Sequence, residues 1–404
     1  MCVNTSIACP FGTDTELTKE FCFDVFNSVN ELNPLQWNRQ VPEGNYLMQY
    51  DYLAMIERCS AGDIQFRYVL VKKNAETVGA LYFQVVMFRG AQLMNYFPEN
   101  PSFVLRNLKG VTERFLNSIN MPMLVSGNVF MTGENGFYFT QDIDKPTRAK
   151  LLRNAARLIL RQTPTIKATL ISDLYEPKTE FDRDFKLHGF NEITVESDMT
   201  LQIQPEWTVF EDYLNAMSSK YRVRAKKVYA LCHDNGVEMQ ELSAADIQQH
   251  QPRLFELYNK VMENADFKLA TLPQDYFYQQ KLQLPQNYHV FGYFKDGLMI
   301  GFISAFHIGK RIEVHYTGMD HVVCKPIHLY QHMMYDMVGY GIKHKATRLH
   351  FGRTAPEIKS TIGAEPQAMY GYLKHSNPLF NFFIMRPYTA RLKPRHYQIR
   401  SPFK

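Results

Sequence analysis

The sequence predicts an α/β (α+β) protein made of two tandem domains, each a mixed twisted sheet flanked by helices. Three observations carry this. The chain has 404 residues, about twice an average domain. Hydrophobic residues make up 45% and charged residues 21%, a balance that supports ordinary buried cores. One order of periodicities runs twice along the chain: helix, hairpin, strand, long helix, strand, short helix, strand. The two runs do not align residue by residue, so the repeat is architectural.

In the first half, residues 1–35 read as an irregular lead-in with one amphipathic stretch at 21–29, and 45–60 has helical periodicity. Segments 66–73 and 78–87 are rich in β-branched and aromatic residues and form a hairpin candidate joined at 74–77. A helix near 104–117, a strand near 123–129 and a loop at 133–136 follow. The stretch 146–161 is a helix with Pro146 at its start and Leu151, Leu152, Ala155, Leu158 and Ile159 on one face. A strand at 168–172, a short helix at 180–188 and a strand at 193–203 complete this half, with a boundary at 205.

Segment 208–236 reads as one long helix joining the halves. Phe210, Leu214, Met217, Tyr221, Ala225, Val228 and Cys232 form an apolar stripe. Thr208 and Glu211 make a capping box, and Asn235-Gly236 supplies a left-handed stop. Lys220, Arg222, Arg224, Lys226 and Lys227 crowd its second half, where the helix dipole favours cations or a bound anion.

The second half (237–380) repeats the order: strand 237–242, helices within 246–263, a hairpin at 288–308 turning on Asp296-Gly297, strand 311–318, helix 327–343, strand 347–352, a short helix from Pro356 and a strand near 369–374. Residues 381–404 form a basic tail. The last 39 residues, from Pro366, contain no acid and seven Lys or Arg, whereas the whole chain is only +5. Six scattered cysteines without a CxxC pair read as reduced thiols of a cytoplasmic protein. No run of 18 apolar residues is present, so no spanning helix is expected, and the N-terminus lacks a signal-peptide pattern. His328 and His332 are spaced i, i+4 but lack a third ligand, so no metal is expected. No nucleophile elbow, P-loop or dinucleotide fingerprint occurs.

This order resembles the GNAT acetyltransferase superfamily, doubled as in the Fem-type peptidoglycan aminoacyl transferases. Two segments carry the likeness: Ser218-Ser-Lys-Tyr-Arg-Val-Arg-Ala-Lys226, and Phe351-Gly-Arg-Thr-Ala-Pro-Glu-Ile-Lys-Ser360 with Gly363-Ala364 and the strand after it. The resemblance implies an N-acyltransferase that moves an acyl group from an acyl-CoA to a small-molecule amine. Fem-type relatives imply aminoacyl-tRNA as an alternative donor, so tRNA is a candidate partner. A non-catalytic protein binding an acidic ligand is a third reading. GNAT enzymes hold the CoA pyrophosphate on a Gly-rich turn before the long helix. Here the corresponding turns, 142–146 and 320–327, have no glycine. Lys325 or the basic helix would then hold the diphosphate.

Strand 311–318 alternates, so Glu313, His315 and Thr317 share one face and Val314 and Tyr316 the other. Glu313 or His315 is the candidate base for an ammonium acceptor, and Tyr316 the candidate acid for a leaving thiolate. The resemblance implies that this strand splays near its end, which Gly318 would permit. Arg353 ends the following strand and Lys359 lies in the next helix, both suited to a carboxylate or phosphate. At least two of the six cations Lys220, Arg222, Arg224, Lys226, Arg353 and Lys359 are expected to converge on one cavity and hold a phosphate or carboxylate.

Overall fold

The computed structural model describes residues 20–42, 44–60, 62–90, 114, 117–175, 178–263, 268–390 and 397–403. The expected lead-in before residue 20 and most of the helix expected near 104–117 lie outside them.

Each sheet contains a hairpin that the sequence led us to expect. In the first, β2 (Gln65–Lys73) turns into β3 (Glu76–Arg89) through Asn74-Ala75, a two-residue turn with both φ positive, tighter than the four-residue link expected. In the second, β10 (Tyr288–Lys295) turns into β11 (Leu298–Ile308) through Asp296-Gly297, also with both φ positive. Around them lie β1 (Phe21–Phe26), β4 (Asn120–Ser126), β5 (Phe137–Phe139), β6 (Ala168–Leu174), β7 (Asn191–Thr194), β8 (Asp198–Gln202), β9 (Glu238–Glu241), β12 (Arg311–Met319), β13 (Arg348–His350), β14 (Glu365–Gln367) and β15 (Tyr370–His375).

The first sheet runs β1-β2-β3-β4-β6-β15-β7 with β5 added on β3; the second runs β9-β10-β11-β12-β13-β8-β14. The orders correspond strand for strand. In each, a single parallel pair, β4 with β6 and β12 with β13, sits among antiparallel neighbours. The sixth position breaks the expected plan. Strands 193–203 and 369–374 were expected to close their own halves. Instead β8 pairs with β13 and β14 in the second sheet, and β15 pairs with β6 and β7 in the first. Periodicity identifies a strand but not its partner, because register is set by long-range contacts.

The compact units follow this exchange. One comprises residues 1–195, 266–272 and 369–394; the other comprises 196–265, 273–368 and 395–404. These replace the expected boundaries at 205, 236 and 380. In the first unit, helix Lys145–Gln162 buries Leu151, Leu152, Ala155 and Ile159 with Leu81, Phe83, Leu124 and Tyr372. In the second, helix Leu329–Lys343 buries Met333, Met337 and Val338 with Ile303, Ile312 and Leu349.

The 208–236 segment belongs wholly to the second unit and is two helices, Phe210–Ala216 and Ser219–Asp234. Met217 is extended between them and bridges to Phe403, while Ser218 N–H donates to the Pro402 carbonyl at 2.8 Å. A returning C-terminal segment therefore takes backbone bonds that a continuous helix would have kept. The start is capped by Asp212, which accepts from both the N–H and the hydroxyl of Thr208 at 2.8 Å, and not by Glu211. The stop is as expected: Gly236 has φ +66°, and Val237 N–H reaches the Cys232 carbonyl at 3.0 Å. The expected tail at 381–404 divides. Residues 378–389 are helical in the first unit, and 397–403 lie in the second, with the Phe403 ring 5.4 Å from that of Trp207.

The exchange has a direct test. Tyr372 is fully buried in the first core. Tyr372→Ala is expected to cost about 3–5 kcal/mol and to release hydrogen-exchange protection in β3 and β6 before β11 and β12. Release of β11 and β12 first would contradict the pairing.

Candidate active site

β12 and β13 pair for only three residues: Arg311 with Arg348, Ile312 with Leu349, and Glu313 with His350. β13 then ends, while β12 continues to Met319. The result is a fork in the second sheet, open at the carboxyl end of a parallel pair, the usual mouth of an α/β cleft.

Across the sheet, β12 carries a bulge. Ile303 pairs with Thr317 and Ala305 with Val314, so His315 and Tyr316 together oppose the single residue Ser304. The Ser304 hydroxyl donates to the Tyr316 carbonyl at 3.2 Å and accepts from the Tyr316 N–H at 3.1 Å, clamping the extra residue. The bulge corrects the alternation read from sequence. His315 and Tyr316 lie on the same side, their rings 5.6 Å and 6.5 Å from that of Tyr276. Tyr276 OH lies 3.4 Å from His315 Nε2. Phe306, opposite Glu313, has its ring 4.8 Å from His315, so Glu313 and His315 do share a face.

Gly318 does not mark the distortion. It pairs regularly with Phe302, and a Cβ there would lie 2.2 Å from the Phe302 ring and 2.7 Å from the Tyr258 backbone nitrogen. Its role is to let helix Gln251–Met262 approach the strand.

Four buried ionisable side chains line the crotch of the fork and the end of β13. Glu313 is nearly buried and lies 3.1 Å from Arg311 Nε. Burial pushes its carboxyl above the ordinary glutamate range, offset in part by His350 and Arg311. His350 Nδ1 lies 2.6 Å from Asp198 Oδ2, and the other Asp198 oxygen accepts the Gly352 N–H at 2.9 Å. Lys359 is 2% exposed and donates to the carbonyls of Phe351 and, at 3.1 Å, Gly352. Burial pushes its ammonium down to about 7, opposed by the charges of Asp198 and Glu196. Asp198 and His350 were missed in the sequence. Asp198 sits on a strand assigned to the wrong half, and the pair is 152 residues apart.

The remaining predicted residues are spread differently. Arg353 follows β13 and is half-buried. Lys220, Arg224 and Lys226 are exposed, whereas Lys359 is buried. Lys226 is 3.2 Å from Glu211, Arg222 donates to the Met217 carbonyl at 3.3 Å, and Lys220 lies over the Tyr221 ring. Lys220, Arg222 and Lys226 thus each have a local contact on the helix surface. Lys325 is exposed at the end of the short helix His321–Cys324.

The two long helices start differently. Asp144 caps the first, accepting the Thr147 N–H at 2.7 Å, which places an anion where a phosphate would have to bind. The second begins after His328, whose side chain makes no cap bond. Asp320 is engaged before it, 2.7 Å from Lys260. His332 of the discounted histidine pair lies 3.2 Å from Asp336, and among the described residues no group of three or more His, Cys, Asp or Glu is placed to hold a metal ion.

No family model and no curated protein sequence matches the chain. Solved structures do. FemX matches over 89% of this chain and 99% of its own, at 14% identity and TM-score 0.54. The chain has the tandem GNAT/Fem-like fold. A tandem GNAT protein from the clavulanic acid biosynthesis pathway matches with the same coverage, at 10% identity and TM-score 0.50. At these identities the likeness concerns the fold.

Lys359 gives a pH test. Burial holds its folded pKa near 7 against the ordinary lysine value of 10.5, so between those values the unfolded chain holds a proton that the native chain has released. Stability must then rise with pH through that window. Lys359→Met is expected to remove that part of the rise in chemical-denaturation profiles. A variant profile parallel to the parent's would contradict a buried, depressed lysine.

Proposed function

We propose that the second unit is an N-acyltransferase acting on a small-molecule amine, with the fork between β12 and β13 as its reaction centre. The carrying observation is the coincidence, at one fork, of a clamped bulge and a buried carboxylate, Glu313, with a raised pKa. In this reading the donor is an acyl-CoA whose thioester lies in the fork. Glu313 removes a proton from the ammonium acceptor, directly or through water. The free amine attacks the thioester carbonyl, the C–S bond of the tetrahedral intermediate breaks, Tyr316 protonates the departing thiolate, and the tyrosinate regains its proton from the amide nitrogen, directly or through water. A carboxyl held above the ordinary glutamate range suits this task better than an ordinary glutamate. His315, on the same face, is the alternative base.

The first unit is assigned no chemistry, since Asp144 occupies its helix start. Arg353 is placed at the fork mouth to hold an anionic group of donor or acceptor. Lys325, next to the uncapped start of helix Leu329–Lys343, is assigned to the donor's diphosphate. Among the described residues no helix is long and apolar enough to cross a membrane. A cytoplasmic location is part of this reading.

A second reading takes aminoacyl-tRNA as the donor. It is favoured by the exposed cations Lys220, Arg224 and Lys227 on one helix, together with the glycine-free turn before helix Leu329–Lys343. Thermal-shift titration with acetyl-CoA, longer acyl-CoAs, and charged and uncharged tRNA separates the donors. Acyl-CoA stabilisation supports the first reading, and salt-sensitive stabilisation by charged tRNA supports the second. With the donor known, Glu313→Gln is expected to lower kcat by about 100-fold or more while the melting temperature is kept. Unchanged turnover in both Glu313→Gln and His315→Asn would remove the chemistry from this fork.

A further inference from the structure

The first unit carries an apolar ridge that its core does not use. Residues 378–389 form a continuous helical run: Pro378–Phe380, a π-helical turn at Asn381–Met385, and Arg386–Thr389. Its inner side is Asn381, Met385 and Thr389, all buried and spaced four residues apart. Asn381 is the anchor. Its amide donates to the Gly189 carbonyl at 2.7 Å, and its side-chain oxygen accepts from the His375 N–H at 2.9 Å and from Asn191 at 3.1 Å. The outer side is apolar: Leu379, Phe382, Phe383 and Ile384 are 68%, 54%, 65% and 40% exposed. The wide π-turn swings three consecutive apolar side chains outward on a firmly held backbone. Four large apolar side chains on one short run exceed the scatter expected of a bare surface.

Charge selects the occupant. Arg386 lies over the Phe382 ring at 5.7 Å. Lys167 is exposed just before β6, its carbonyl accepting the Ser376 N–H, and half-buried Lys374 on β15 donates to the His188 carbonyl at 2.7 Å. From Pro366 to the end the sequence has no Asp or Glu. Among the described residues of the adjoining elements, Asp184 is paired with Arg153, and Asp182 and Glu192 with Lys186. A second copy of the chain would bring the same cations against themselves. An anionic lipid surface offers both a hydrocarbon boundary for the aromatics and negative charge for the rim.

We propose that residues 378–389 are an interfacial docking element that seats the first unit on an anionic membrane surface, with Leu379, Phe382, Phe383 and Ile384 as the wedge. The inference is independent of the chemistry assigned to the second unit. The test is co-sedimentation of the full chain with phosphatidylglycerol-rich and with pure phosphatidylcholine vesicles, and sedimentation velocity without lipid. The parent is expected to bind the anionic vesicles preferentially and to release in high salt. Phe382→Ser/Phe383→Ser should weaken that binding about tenfold or more. Both side chains are solvent-exposed, so the variant should keep its melting temperature, which is checked in parallel. Three results overturn the proposal: a parent that ignores anionic vesicles, a double variant that binds as the parent does, or a parent dimer that the variant turns into a monomer.

Discussion

One buried hydroxyl sets the geometry of the candidate site. Ser304 bonds both the carbonyl and the N–H of Tyr316, and by doing so holds an extra residue in β12. In a regularly alternating strand His315 and Tyr316 would point to opposite faces. Here both face Tyr276, and Glu313 stays on the His315 side. The same strand parts from β13 after Glu313, so the bulge and the fork lie within a few residues of each other.

The fork also gathers charge in a place where charge is costly. Asp198, His350, Glu313 and Lys359 are all buried or nearly so. Burial of isolated ions is unfavourable by several kcal/mol each, and hydrogen bonds from Asp198 to His350 and to the Gly352 N–H offset only part of it. Concentrating such groups at the mouth of a parallel pair sacrifices stability for a local field, the arrangement expected where protons are moved. The first sheet has the same topology and its own three-residue parallel pair, but Asp144 fills the helix start beside it. The two units thus share a strand order but start their long helices differently.

Much of this was legible from the residues alone. The Asp296-Gly297 turn, the glycine stop after Asn235, and the strand-to-helix segment ending at Lys359 are local features, and local patterns report them. The failures share a cause. The break at Met217 depends on Pro402 and Phe403, the bulge at His315 on a serine of another strand, and the Asp198–His350 pair on two strands from distant parts of the chain. Strand exchange is likewise invisible to periodicity, since β8 and β15 would look the same in either sheet. Gly318 misled for a different reason. A glycine in a strand signals either distortion or close approach, and only the backbone of helix Gln251–Met262 shows that it is the second.

The central claim is that donor and acceptor meet in the fork of the second sheet. Hydrogen exchange with and without the donor identified by thermal shift tests it most directly. Protection should appear in residues 314–319 and 351–353, with the strands of the first sheet unchanged. Protection confined to the first unit, or to helix Ser219–Asp234 alone, would contradict the account.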